Sequence, residues 1–472
     1  MPISIIPGIS WSRPLLALIT LSLLGGCATY RPQPLPKQAP LEKDLPLLVA
    51  KVNRSIKTKS DTYRVNLADG LDLTEVAIVA VLGNPDLRAR RAELKVAGAQ
   101  AFAAGLLPDP QLSTNIDHPT TTGYTNGLGF GLGYDIIPLI TRQARISAAQ
   151  GRHAKVRLQL LWQEWQVIQQ ARSLAVRFQL EQQRLALLRR MRDLYQQRYQ
   201  HSKQGLADGN ITLDVNGTDL TALVDSFSQI SQLEQQHNQT HYDLNHLLGL
   251  QPDAVISLTK LPAETSIDQA SVQAQLRKLP TIRPDLLALK AGYQAQEERV
   301  RAAILAQFPS FSIGINRVRD TSNVYTGGFS IRLNLPLFSG NRGAIAIERA
   351  TRKQLFEEYQ ARIAQTHSDV RRLLKLQTII EKQRNNLQLY LPRLKVLVKR
   401  ARRAYRHGDI NVLTFLNMES TWVNKRLEQI SLQQTQWQNR IALQTLLALP
   451  EAGTHAISTL ANKVPHRKRT GY

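Results

Sequence analysis

Cysteine occurs once in this 472-residue chain, at position 27, so the fold can contain no intramolecular disulfide. Long apolar runs are equally scarce. After the first thirty residues no stretch could cross a bilayer as a helix, which needs about 20 apolar residues. Short catalytic motifs are missing as well: there is no GxSxG, no P-loop and no CxxC. Acidic residues are few, with 36 Asp and Glu against 60 Lys and Arg, for a formal net charge of +24. Such an excess points to anionic surroundings, such as lipid headgroups, nucleic acid or cell-wall polymer. Nucleic-acid recognition is disfavoured, because the basic residues are spread among Gln and Leu and form no compact basic-aromatic block.

What the chain does contain begins with an export signal. Residues 1–26 carry Arg13 and then an apolar core from Leu15 to Leu24. They end in Leu24-Gly25-Gly26 before Cys27, which resembles a bacterial lipobox. That resemblance implies cleavage before Cys27 and a lipid on it. Ala28 in place of Asp favours the outer membrane. Residues 27–70 are rich in proline and charge and read as a linker with little regular structure.

Two segments alternate in polarity. In Phe308–Phe338, Phe311, Ile313 and Ile315 alternate with Ser312, Gly314 and Asn316. Then Phe329, Ile331, Leu333 and Leu335 alternate with Ser330, Arg332 and Asn334. In the other segment, Leu112, Thr114 and Ile116 alternate with polar residues, and Leu128 to Ile136 alternate with glycines and Asp135. Period 2 gives each strand one apolar and one polar face, and about 9–11 residues suit a membrane-spanning strand. The glycine alternation from Gly127 to Gly133 follows a strand pattern, so it is no phosphate loop.

The hairpins belong to a tandem repeat. Asn84-Pro85-Asp86-Leu87 returns as Arg283-Pro284-Asp285-Leu286, 199 residues later. Pro110 and Pro309, Gly209 and Gly408, and Leu250 and Leu449 keep the same offset. The units span 71–250 and 268–449, with a linker at 251–267 and a basic tail at 450–472. Each unit should hold a helix starting at its proline, the hairpin, a long helix (142–204 or 342–407), a glycine-containing turn and a returning helix ending near Leu248 or Leu447. The long helices show narrow stripes: Leu158, Leu161, Trp165 and Ile168, then Leu373, Leu376, Ile379 and Ile380. Such stripes suit coiled-coil packing. Pro392 should interrupt one hydrogen bond and kink its helix. The fold class is therefore mostly α with a small β part. Four strands cannot close a membrane barrel, so copies of the chain must pool strands, two giving eight and three giving twelve.

The lipobox, the two units, Ala104-Gly105-Leu106-Leu107-Pro108-Asp109-Pro110, Arg283-Pro284-Asp285-Leu286 and Leu335-Pro336-Leu337-Phe338 together resemble the TolC-type outer-membrane efflux channels. The resemblance covers residues 71–449. It implies a homotrimer with a twelve-stranded barrel in outer-membrane lipid and a helical tunnel in the periplasm. It also implies a periplasmic adaptor and an inner-membrane pump, of the RND type, as partners. The Leu106–Pro110 run resembles the heavy-metal exporting branch. On this reading Ser330, Arg332, Asn334, Asn316 and Asp135 face the lumen. The periplasmic tip and gate comprise Asp208, Gly209, Asp214, Gly408, Asp409, Thr414 and Asn417. Thr414 and Asn417 stand where family members carry acidic, tunnel-constricting residues, so the usual acidic ring is not evident in the second unit. Asp208, Asp214, Asp219 and Asp225 read as helix-start and surface acids.

No cofactor, catalytic residue or metal site is expected. His237 and His241 are four apart on a helix and have chelating spacing, but the simpler reading is two solvent-facing imidazoles. The resulting function is a passive exit duct of a tripartite efflux or secretion system. Its rivals are a lipid-anchored periplasmic coiled-coil protein without a pore and a lipoprotein enzyme acting on the cell wall. Replacing Cys27 by Ser behind a cleavable signal should abolish lipidation and leave trimers intact. Mass spectrometry and membrane fractionation check this, and loss of trimers would contradict it.

Overall fold

The computed structural model of the chain describes residues 30–57, 64–263, 267–336 and 338–449. The signal segment, Cys27 and the basic tail lie outside the described residues. Residues 30–41 belong to a first unit and carry no helix or strand; Glu42 onward forms a second unit.

In the second unit the elements run α1 (Leu45–Lys57), α2 (Leu73–Gly83), α3 (Pro85–Ala104), β1 (Gln111–Asp117), β2 (Gly127–Asp135), α4 (Ile137–Ile140), α5 (Arg142–Ala207) and α6 (Leu213–Leu248). The repeat follows as α7 (Gln269–Ile282), α8 (Pro284–Leu305), β3 (Ser310–Arg319), β4 (Tyr325–Asn334), α9 (Arg342–His407) and α10 (Val412–Leu447). Both long helices have 66 residues and both returning helices 36. At 1.5 Å per residue a 66-residue helix is about 100 Å long. α9 remains helical through Pro392.

The segment expected to be an irregular linker holds α1. Leu45, Leu48, Val49, Val52 and Ile56 recur at helical spacing and are all buried, so one face of α1 joins the core. Most prolines of the segment precede α1, and Pro46 falls in its first turn, where the missing N–H has no intrahelical partner to lose. α2 is apolar nearly all round, and Val76 to Val81 are buried without a break. Asp72 caps it: its Oδ1 accepts from the Thr74 and Glu75 N–H groups at 2.7 Å, while Glu75 Oε2 accepts from the Asp72 N–H at 3.0 Å.

The core at this end gathers α1, α2, Ile168 to Ala175 of α5 and the last turn of α6. Its counterpart in the second repeat gathers Val272, Leu276, Leu286, Val370, Leu373, Leu443 and Leu447. The two prolines that open α3 and α8 are anchored differently but to equivalent places. Asn84 Oδ1 accepts from Leu87 N–H at 2.9 Å, and its amide donates to the Leu247 carbonyl at 3.0 Å. In the repeat, Arg283 donates to the Leu446 carbonyl at 3.3 Å and to Thr366 Oγ1 at 2.8 Å. Arg283 also grips Asp285 with two hydrogen bonds of 2.7 and 3.0 Å, and it lies 4.8 Å over the Trp162 ring.

Along the long helices the core thins to a seam. On α9, Leu373, Ile380 and Leu387, then Leu391 and Val398, are buried at seven-residue spacing. Ile379, expected in that stripe, is exposed, because the buried line follows the heptad through Ile380. α5 buries more of its circumference, since α2, α3, α6, α8 and α10 all pack on it. α6 packs on α5, α5 on α10 and α10 on α9, so α6 and α9 form the two flanks.

Asn84→Ala should destabilise the protein by about 1–2 kcal/mol through loss of the cap. Asn84→Asp, which keeps the acceptor but loses the donor to Leu247, should fall between. Thermal unfolding followed by circular dichroism reads the order.

Candidate functional site

The four strands form one antiparallel sheet in the order β1-β2-β3-β4. Directly opposed residues share a face, so the register sorts every side chain. Leu112 opposes Leu132, Leu132 opposes Ile315, and Ile315 opposes Phe329. Tyr134, Ile313 and Ile331 form the next row, and Phe311 with Leu333 another. This apolar face is solvent-exposed in the protomer: Leu112 is 73%, Ile315 62% and Ile331 59% accessible. The other face carries Ser113, Asn115, Asp135, Ser312, Asn316, Ser330, Arg332 and Asn334, interleaved with glycines. The glycines leave room for the side chains of this face to lie flat. A Cβ at Gly129 would collide with Asn115, and one at Gly328 with Asn316. Among the described residues, the outer edges of β1 and β4 have no strand partner.

The far end of the long helices is the second candidate region. α5 and α9 are reversed by turns at Gly209 (φ +72°) and Gly408 (φ +81°), a left-handed backbone that glycine adopts without strain. Asp208 accepts from the Gln204 amide at 3.0 Å and is exposed. Asp214 is exposed in the first turn of α6, and the Thr212 hydroxyl beside it holds its carboxyl below the usual value. Asp409 is exposed, and Thr414 donates its N–H to the Asn411 cap at 2.8 Å.

Behind these turns lie two buried carboxylates, Asp219 and Glu419, each paired with arginine. Arg198 of α5 reaches Asp219 of α6 at 2.6 Å and donates to the Asn417 side chain of α10. The Arg198–Asp219 contact is close, but the N–H is not aligned for a hydrogen bond. Glu419, two residues further along α10, accepts from Arg402 of α9 at 2.7 Å and from Arg190 of α5. Arg190 lies 5.5 Å over Trp422 and Arg402 5.9 Å over Phe415. Four helices are thus pinned by two carboxylates sunk in the apolar cluster of Met191, Leu194, Phe415, Leu416 and Val423.

The structure therefore corrects one expectation. Asp219 is no surface acid: it is 1% exposed and ion-paired, whereas Asp214 and Asp225 are exposed. Of the anticipated tip residues, only Asn417 contacts the pins. Arg198, Glu419, Arg190 and Arg402 were not anticipated, and the one available signal was a solitary acid at the start of α10, opposite a very basic α9.

His237 and His241 are not simply solvent-facing either. Phe178 stacks on both rings, at 4.5 and 5.7 Å. His241 Nε2 lies 2.9 Å from the Ala254 carbonyl. Burial lowers the His237 pKa, against the opposing pull of Glu181. Among the described residues no cluster of three or more His, Cys, Asp or Glu could hold a metal ion.

Residues 277–449 match the family described as "Outer membrane efflux protein". That span lies in the second repeat, whose helices and hairpin the first reproduces with α4 added. The second repeat is thus similar to the outer membrane efflux protein family. It is similar to the probable outer membrane lipoprotein SilC of Salmonella typhimurium, 22% identical over 92% of this chain and 98% of SilC. The pyoverdine export outer membrane protein OpmQ of Pseudomonas putida is 26% identical over 46% of this chain and 47% of its own. The fold matches the crystal structure of the Campylobacter jejuni CmeC outer membrane channel, with a TM-score of 0.66 and 14% identity, over 92% of this chain and 98% of CmeC. Channels of the family are trimers that work with periplasmic adaptors and inner-membrane pumps. Among the described residues, no helix is long and apolar enough to cross a membrane.

Removing Arg198 should strand the Asp219 carboxylate, a change that costs about 3–5 kcal/mol for a fully buried pair. Arg198→Ala should speed cleavage of the 205–212 turn by proteinase K and lower the melting temperature, while Asp225→Asn should do neither.

Proposed function

We propose that the protein is the exit duct of a tripartite efflux system, a homotrimer whose twelve pooled strands close a barrel in the outer membrane. A periplasmic adaptor engages the helical tip, and an inner-membrane pump of the RND type delivers cargo. The duct is passive and catalyses no reaction. The observation that carries this reading is the sheet, with one face apolar across four strands apart from Arg317 and Arg319 at its loop end and, among the described residues, two unpaired edges. An apolar face of that extent is untenable in water and suits lipid. Unpaired edges are untenable in lipid unless copies join. Phe329, Ile331, Leu333, Leu335, Phe311 and Ile313 then meet lipid, and Ser330, Arg332, Asn334, Asn316 and Asp135 line the bore. Cys27 anchors the lipid, 1–26 serve as signal and 450–472 as tail, and the chain after Cys27 links the lipid to α1, which belongs to the core. The tip residues Asp208, Gly209, Asp214, Gly408, Asp409, Thr414 and Asn417 lie at the closing end of the tunnel, and the arginine-paired carboxylates buried behind them hold its resting shape.

Charge at the midplane of a lipid-facing strand costs about 2–4 kcal/mol, whereas the lumen tolerates it. Ile331→Lys should therefore abolish heat-modifiable trimers and conductance in planar bilayers. Asn334→Lys should assemble normally and alter ion selectivity. Equal tolerance of both substitutions would refute the barrel.

A further inference from the structure

The apolar face of the sheet is interrupted at one place. On β3 the residues that share this face are Phe311, Ile313, Ile315, Arg317 and Arg319. Phe130 and Gly327 stand opposite Arg317, and Leu128 and Tyr325 opposite Arg319. Two guanidiniums thus enter rows that otherwise hold no charge. The first repeat has His118 and Thr120 at the equivalent places, 199 residues earlier, so a hairpin of this kind forms without the arginines. Neither arginine is neutralised within the protomer. Asp117 lies on the other face and accepts from the Asn115 amide at 3.3 Å. Asp320 turns into the β3–β4 loop, where its Oδ1 accepts from the Ser322 and Val324 N–H groups, each at 2.9 Å. Among the described residues, the pair makes one hydrogen bond, from Arg319 Nη2 to the Asn126 carbonyl at 3.0 Å, and no ion pair. The Arg319 Nε is enclosed and has no partner, and Arg317 is exposed.

The position of the pair along the strand gives it a depth. Arg319 lies eight residues beyond Phe311. Eight residues span about 27 Å of strand, and a tilt of about 40° turns this into about 21 Å of height, against an apolar band about 25 Å tall. The arginines therefore stand at one edge of the band. The helices leave the sheet at the other ends of the strands. In the duct proposed above, the arginine edge is then the outer leaflet. The rim at this level is tied together, since Thr125 of the β1–β2 loop donates its N–H to the Thr321 carbonyl of the β3–β4 loop at 2.9 Å. Same-face neighbours on a strand are about 7 Å apart, so both guanidiniums can close on one headgroup. Each can offer paired N–H donors to phosphate oxygens.

We propose that Arg317 and Arg319 form a binding site for the phosphate-bearing headgroup of an outer-leaflet lipid, one site per protomer on the lipid-facing side of the loop end. The acyl chains of that lipid lie on Ile315, Phe329 and Ile331, which continue the same face toward the helices. The headgroup supplies the anion that the protomer does not. This rests on the barrel proposed above and adds where on its circumference one class of lipid is held, and by which side chains.

The test uses the full-length protein purified in detergent, titrated with diphosphoryl lipid A and followed by native mass spectrometry. Bound lipid A should saturate at one per protomer, and phosphatidylcholine should not compete for it. Arg317→Gln with Arg319→Gln should weaken binding roughly tenfold, because both charge-assisted contacts are lost. Arg371→Gln with Arg403→Gln, two exposed arginines far along α9, makes the same change in charge and should leave binding unchanged. Arg317→Lys with Arg319→Lys keeps the charge but loses the paired donors, so its affinity should fall between. The lysine variant carries the test if the glutamine variant forms no trimers. Equal binding by every variant would overturn the site and leave the duct standing. Displacement of lipid A by excess inorganic phosphate would overturn it too, making the arginines a site for a free anion. An unmodified protein that is monomeric in every detergent and bilayer would instead overturn the duct itself.

Discussion

Everything in this molecule answers to the backbone hydrogen bonds that its sheet leaves unmade. Four strands pair with one another and then stop, and the outer edges of β1 and β4 present rows of N–H and C=O groups. In water such edges are solvated; in hydrocarbon each unsatisfied group costs several kcal/mol. The protomer is thus an incomplete object whose stability in its own environment is inseparable from association.

Within the protomer, two ways of holding long helices together alternate along their length. Near the sheet-distal ends of α3 and α8, apolar clusters are broad enough to resemble an ordinary globular core. Toward the tip, the seam is one or two residues wide, and arginine pairs to buried carboxylates take over. A heptad seam resists bending but slides and rotates at low cost, since any Leu suits any hole. Ion pairs such as Arg402–Glu419 fix the rotational setting, because a displaced carboxylate would remain buried without its cation. Register is supplied by a few polar contacts where hydrophobic packing cannot supply it.

Much of this was legible from residue patterns. The hairpins followed from period 2, and the repeat offset of 199 residues placed the long helices and their glycine turns within a few residues. α1 was hidden because prolines dominate the composition of its neighbourhood, while its five buried residues need only thirteen positions. The tip ions were illegible for a different reason. Arg190 and Glu419 are 229 residues apart, and Arg198 and Asn417 are 219 apart. No local window contains both partners. Asp219 sits among Gly217, Thr218 and Thr221, a polar surrounding that reads as surface until α5 lays Arg198 across it.

The tandem origin of the fold has a further consequence, seen in the way Asn84 and Arg283 hold equivalent carbonyls with different chemistry. A neutral amide does in one repeat what a guanidinium does in the other. The same divergence separates acidic α6 from its counterpart α10, which carries both signs. In backbone shape a trimer of such chains approaches six-fold symmetry, while its electrostatic field is only three-fold. Two kinds of groove therefore alternate around the tip, alike in curvature and unlike in potential. Any elongated partner laid into them must either come in two forms or bind the two grooves with unequal strength.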